Sequence, residues 1–163
     1  ESATGSYPLL AVKSMNKIIN SVEKTSNLIY FKFEKFKKLR NKISESLITT
    51  ACRLSKQISA KAIVTMTKSG YSAFRVSGSR PKARIYIVTN DKKIGNELNL
   101  LWGVEQFPIE RKETFSEMLK SANDFLVKEK KYNKGDKVIV VAGTPPNVEA
   151  ATNLIRVHNL GDV

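Results

Sequence analysis

At 163 residues the chain has the length of one domain, and 41% hydrophobic with 26% charged residues is a globular composition rather than a disordered one. No apolar run approaches the length of a membrane span, and the lone Cys52 excludes a disulfide framework or a thiolate metal centre, which points to a reducing, cytoplasmic setting. The net charge of +13 favours anionic partners (nucleic acid, acidic membrane or phosphorylated small molecules), although lysines spread over the whole length also fit a solvated surface.

The N-terminus, Glu1-Ser2-Ala3-Thr4-Gly5, has no initiator Met and no signal core, so it reads as an excision from something longer. Leu9 to Val22 follows as an amphipathic helix, with Val12, Met15, Ile19 and Val22 on one face and Pro8 in the first turn. Ile29 to Lys42, "IYFKFEKFKKLRNK", is dense in Lys and Phe. Aromatic faces stack on bases and ammonium groups neutralise phosphates, so this is the best local case for nucleic acid. Yet Phe33, Phe36 and Leu39 fall at helical spacing, which favours a connecting segment with an apolar underside and a wet basic top.

"SESLITTACRLSKQIS" is a second helix, with Leu47, Ala51, Leu54 and Ile58 on one stripe and Cys52 beside it as a small buried hydrophobe. "KAIVTM" and "RIYIVT" are strands without polar alternation, as expected where both faces are covered. The loop and short helix between them, stopped by Arg80-Pro81, complete a βαβ unit with parallel strands. "NDKKIGNELNLLWG" reads as a helix ending near Gly103, and "VEQFPI" as a short strand weakened by Pro108. "ETFSEMLKSANDFLVKEKK" is a long helix whose Phe115, Met118, Leu119, Ala122, Phe125 and Leu126 share one face. "KVIVVAG" is another buried strand, and "NLIRVH" alternates like a sheet edge with one wet face. The sum is a three-layer α/β/α domain around a mostly parallel five-stranded sheet with an antiparallel edge strand, preceded by N-terminal helices.

Enzyme signals are poor. His158, the only histidine, lies on the edge strand without a nucleophile or carboxylate partner and is assigned to the surface. No acidic cluster has metal-ligand spacing, and neither a Gly-x-Gly-x-x-Gly nor a Walker-type loop occurs. Trp102 beside Gly103 suits packing at a helix end or stacking on a ligand. The remaining candidate is Thr67-Lys68-Ser69-Gly70-Tyr71-Ser72, where a buried strand enters a helix. One reading is a βα turn with a Ser or Thr N-cap, which the spacing alone favours. The other is a phosphate cradle built from helix N–H groups, hydroxyls, the Lys68 ammonium and a close backbone approach at Gly70.

Three motifs in order, "ESATGSYPLLAVKSM", "TKSGYSAFRVSGSRPKARIYIVT" and "KGDKVIVVAGTPP" with "TNLIRVH", give the chain a resemblance over nearly its whole length. It resembles the C-terminal domain of pyruvate kinase with the tail of the catalytic barrel attached. The resemblance implies that residues 1–28 are the barrel's last helix, 29–42 a basic connector and 43–163 a regulatory α/β domain. It implies a parent enzyme that moves a phosphoryl group from phosphoenolpyruvate to ADP with magnesium and potassium, both held upstream of Glu1. This chain would then be catalytically inactive and carry no metal. It further implies a homo-oligomer, a tetramer, and an effector phosphate held by Thr67, Lys68, Ser69, Gly70 and Ser72. A loop from Gly143 to Thr152, including Thr144, Pro145 and Asn147, would fold over the effector.

The chain departs from the family pattern in two places. The closing loop reads Pro146-Asn147-Val148-Glu149-Ala150 where the family is rich in glycine and serine. Met118 stands near the place of an arginine that holds a second phosphate in regulated animal members, with Lys120 the closest cation. These departures point away from fructose 1,6-bisphosphate and leave a sugar monophosphate or AMP open. A basic nucleic-acid module at Phe31 to Lys42 and a structural domain without ligand are the competing expectations.

Overall fold

The computed structural model describes residues 2–25, 41–109, 114–145 and 151–162. Five strands among them, β1 (Ala62–Met66), β2 (Arg84–Thr89), β3 (Val104–Pro108), β4 (Lys137–Ala142) and β5 (Leu154–Asn159), form one sheet in the order β3-β2-β1-β4-β5. β1 runs parallel to both β2 and β4, β2 runs parallel to β3, and β5 closes the edge antiparallel to β4. The fold is therefore the expected α/β class, mostly parallel with one antiparallel edge strand.

The layers follow from the period-2 geometry of the strands. Ala62, Val64 and Met66 of β1, with Val138, Val140 and Ala142 of β4, pack on one side against Met118, Leu119, Ala122 and Leu126. The latter four lie on α5 (Phe115–Lys128). Ile63, Ile139 and Val141 point the other way, onto Ile48, Ala51 and Cys52 of α2 (Lys42–Gln57) and Val76 of α3 (Tyr71–Gly78). Every residue of β1 is buried, as its unbroken apolar run requires. Burying that run against both layers supplies the main stabilisation, at about 25 cal/mol for each Å² of apolar surface removed from water.

Helix starts have local causes. Asn41 accepts the Ser44 N–H at the start of α2. Asp91 accepts those of Lys93 and Ile94 at α4 (Lys92–Leu98). Thr114 and Glu117 form a reciprocal capping box at α5. The expected helix to Gly103 is shorter than its sequence pattern. It ends at Leu98 because the Asn99 side chain accepts the Gln106 N–H and Gly103, at φ 68°, turns the chain into β3. α5 stops at Lys128, and Lys131 takes a left-handed φ of 56° just beyond it.

The surface assignment of His158 is wrong. Its ring is 6% exposed, because this position of β5 faces α5, where Nε2 lies 3.4 Å from the Asn123 Oδ1. The Gly161 N–H donates to the same Asn123 oxygen at 2.9 Å, and the Asn123 amide donates to Asp124. The Asn123 oxygen thus faces the ring, and the Nε2–H tautomer of His158 is the one that donates.

α1 (Pro8–Thr25) starts with Pro8 in its first turn and includes the expected stripe. Glu1–Lys32 and Phe33–Val163 form two separate compact units. No helix among the described residues is long and apolar enough to cross a membrane. Residues 29–40 of the basic stretch lie outside the described residues.

Candidate functional site

Strand order creates the crevice. Proceeding from β1, the chain adds β2 and β3 on one side of it and then crosses to place β4 on the other. In open α/β sheets ligands bind beyond the carboxyl ends of strands where the order reverses in this way. That point lies between β1 and β4, whose last residues, Met66 and Ala142, are register partners. Thr67 and Gly143 therefore leave adjacent strands side by side, about 5 Å apart. The two segments singled out in the sequence, Thr67 to Ser72 and the one beginning at Gly143, thus leave the sheet from neighbouring strands.

On the β1 side the Thr67 N–H donates to the Val88 carbonyl at 3.0 Å, extending the ladder, while the Thr67 hydroxyl accepts the Gly70 N–H at 2.9 Å. The N-cap of α3 is Gly70 itself, with no side-chain capping bond, so the expected Ser or Thr N-cap is not what starts this helix. Gly70 has φ 80°, and a Cβ there would stand 3.0 Å from the Leu98 side chain. Glycine is required at this position on both counts. The first N–H groups of an α-helix have no acceptor within the helix itself, and those of α3 begin at this turn. Lys68 and Ser69 are exposed, Thr67 is half-buried and Ser72 is buried.

On the β4 side Gly143 and Thr144 are half-buried and Pro145 is exposed. Asn153 ties the loop shut at its base. Its Oδ1 accepts from the Thr144 N–H at 2.9 Å and the Thr144 hydroxyl at 3.1 Å, and its amide donates to the Thr144 carbonyl at 2.8 Å. Thr152 is buried, and its carbonyl accepts from the Ser44 hydroxyl at 3.2 Å. Asn147, with the rest of residues 146–150, lies outside the described residues. Met118 belongs to the core beneath the sheet, whereas Lys120 is exposed on α5.

Two contacts went unread in the sequence. Glu45 of α2, 6% exposed, accepts from the Tyr71 hydroxyl at 2.5 Å and from the Arg75 guanidinium, whose Nε lies at 2.9 Å. Asn153 sits in the quoted "TNLIRVH" but drew no role. A polar residue in a helix's first turn ordinarily suits the dipole and faces water, so nothing local marks Glu45 as buried. Trp102 resolves toward packing, with the Arg80 guanidinium 4.7 Å above its ring and its carbonyl accepting from the Ser77 hydroxyl.

Among the described residues no three His, Cys, Asp or Glu side chains are grouped to hold a metal ion. Cys52 is no nucleophile: burial pushes its thiol up to about 11, with the Ser79 hydroxyl pulling weakly the other way. The described residues at the switch point thus include the first turn of α3, the hydroxyls of Thr67, Ser69 and Ser72, and the Lys68 ammonium, groups of the kind that suit an anion.

An α/β domain whose strand-order switch point is flanked by these two segments is the class that this geometry defines. Comparison with known proteins narrows it. Residues 45–158 match the family described as pyruvate kinase, alpha/beta domain. The pyruvate kinase of Clostridium acetobutylicum is 34% identical over 97% of this chain and 33% of its own length. That of Geobacillus stearothermophilus is 32% identical over the whole chain and 28% of its own length, and that of Mycobacterium tuberculosis (strain H37Rv) 30% over 99% and 34%. The chain belongs to the pyruvate kinase family, in its alpha/beta domain, and spans about a third of the length of these curated relatives.

Proposed function

We propose that this chain is the regulatory and subunit-contact part of a cytoplasmic pyruvate kinase, and that its switch-point crevice binds a phosphorylated effector. The whole enzyme would transfer a phosphoryl group from phosphoenolpyruvate to ADP, giving pyruvate and ATP in glycolysis as a homo-oligomer. The magnesium and potassium of that reaction would be held by residues outside this chain, which spans about a third of the length of its relatives. Placed metal ions and charge-stabilising groups are what phosphoryl transfer requires, so the 163-residue chain alone is expected to be inactive.

The observation that carries the effector reading is the shared register of Met66 and Ala142, which sets the turn from Thr67 to Ser72 beside the loop that begins at Gly143. A phosphate there would meet the N–H groups of Ser69 and Ser72, the hydroxyls of Thr67, Ser69 and Ser72, and the Lys68 ammonium, while the Gly70 N–H stays on the Thr67 oxygen. Thr144, Pro145, Asn147 and Thr152 belong to the loop that would cover the rest of the ligand. With Met118 in the core, the chain favours a monophosphate such as a sugar phosphate or AMP over a bisphosphate. Calorimetric titration with fructose 1,6-bisphosphate, glucose 6-phosphate, ribose 5-phosphate and AMP tests the reading. Saturable binding of a monophosphate is expected, and binding of none of the four defeats it.

A further inference from the structure

Two consecutive residues in the first turn of α2 reach the two walls of the crevice. Ser44, 1% exposed, donates its hydroxyl to the carbonyl of Thr152, next to the Asn153 that fixes Thr144. Glu45 accepts from Tyr71, the residue directly after Gly70, and from Arg75 one turn further along α3. Successive side chains of a helix diverge by about 100°, so a single turn can hold one wall with each. Burying a carboxylate is costly unless charged and hydroxyl donors satisfy it, and both Glu45 oxygens are satisfied by α3 alone. A helix-to-helix tie would need Glu45 only; the Ser44 bond to the opposite wall is an additional constraint.

We propose that the first turn of α2 is a clamp that sets the separation of the two loops, with Ser44 and Glu45 as positioning residues for the phosphorylated ligand. The proposal rests on the effector reading above. Movement of this turn is felt at both walls together, so it is a place where anion binding and the position of α2 are linked.

The test reads each wall after cutting the tie to the other. Hydrogen exchange is measured on the full chain as wild type, Ser44→Ala and Glu45→Gln, alongside titration with inorganic phosphate, glucose 6-phosphate and AMP. Ser44→Ala should speed exchange at the start of α3, where Phe74 N–H donates to Gly70, by about tenfold. Glu45→Gln should do the same for Thr144 and Asn153, while β1 stays protected. Phosphate affinity should fall in both. If each variant loosens only the wall it touches, or far-wall loosening leaves affinity undiminished, the clamp is overturned. Should wild type bind none of the probes while the far walls loosen, the clamp stands and the effector reading fails. If Glu45→Gln does not fold, Ser44→Ala read at α3 decides alone.

Discussion

The Thr67 hydroxyl accepts the Gly70 N–H at 2.9 Å, closing a turn in which Gly70 holds a φ of 80°. This conformation costs an L-residue about 1–2 kcal/mol, and an alanine Cβ would also press on Leu98 at 3.0 Å. Gly70→Ala should therefore lower the unfolding free energy by about that amount, read as a lower urea midpoint at unchanged m, and also weaken the hold on any anion bound at the turn. An unchanged midpoint would mean that the turn relaxes without strain.

Lys68 is exposed, and in the proposed cradle its contribution is its charge. Lys68→Glu should cut the affinity for a phosphate monoester at least about tenfold, which needs only ~1.4 kcal/mol. Stability should move by no more than about 0.5 kcal/mol, as surface substitutions usually do. Equal affinity in calorimetric titrations of the two proteins would reduce the turn to a helix start.

His158 gives a pH dependence whose sign is fixed by burial. Desolvation, followed by the nearby Arg156, holds its pKa below the ordinary 6.5, with Asp162 opposing and the neutral Asn123 facing the ring. The folded state therefore binds the proton less readily than the unfolded state. Stability from the neutral ring is complete above pH 6.5 and is lost as pH falls from there through the lower folded value. Thermal melts between about pH 7.5 and about pH 5 should show a steeper decline for wild type than for His158→Gln. Parallel curves would remove His158 as the source.

Cys52, with its thiol pushed up to about 11 and 5% exposed, should resist a thiol reagent at neutral pH in the native protein. Full reaction is expected only after denaturation, because the thiolate is the reacting species and the folded chain supplies almost none. Stoichiometric labelling under native conditions would show that α2 opens readily from the sheet.

The sequence by itself determined the strands, the βαβ unit and the edge. "KAIVTM", "RIYIVT" and "KVIVVAG" are short, β-branched and apolar without alternation, as strands covered on both faces are. "NLIRVH" alternates and lies at the antiparallel edge. The turn from Thr67 to Ser72 was legible as a candidate because its hydroxyls, lysine and glycine sit at a strand's carboxyl end. What only the tertiary structure decided were relations between segments far apart in the chain. The register of Met66 against Ala142 places the two loops together, and no local pattern encodes a register between strands so widely separated. His158 alternates with exposed neighbours and still turns onto α5, since which face of an edge strand is covered depends on the helix packed there. Glu45 looks like an ordinary first-turn acid until α3 brings Tyr71 and Arg75 to it, because a buried charge is defined by the partners that the fold delivers.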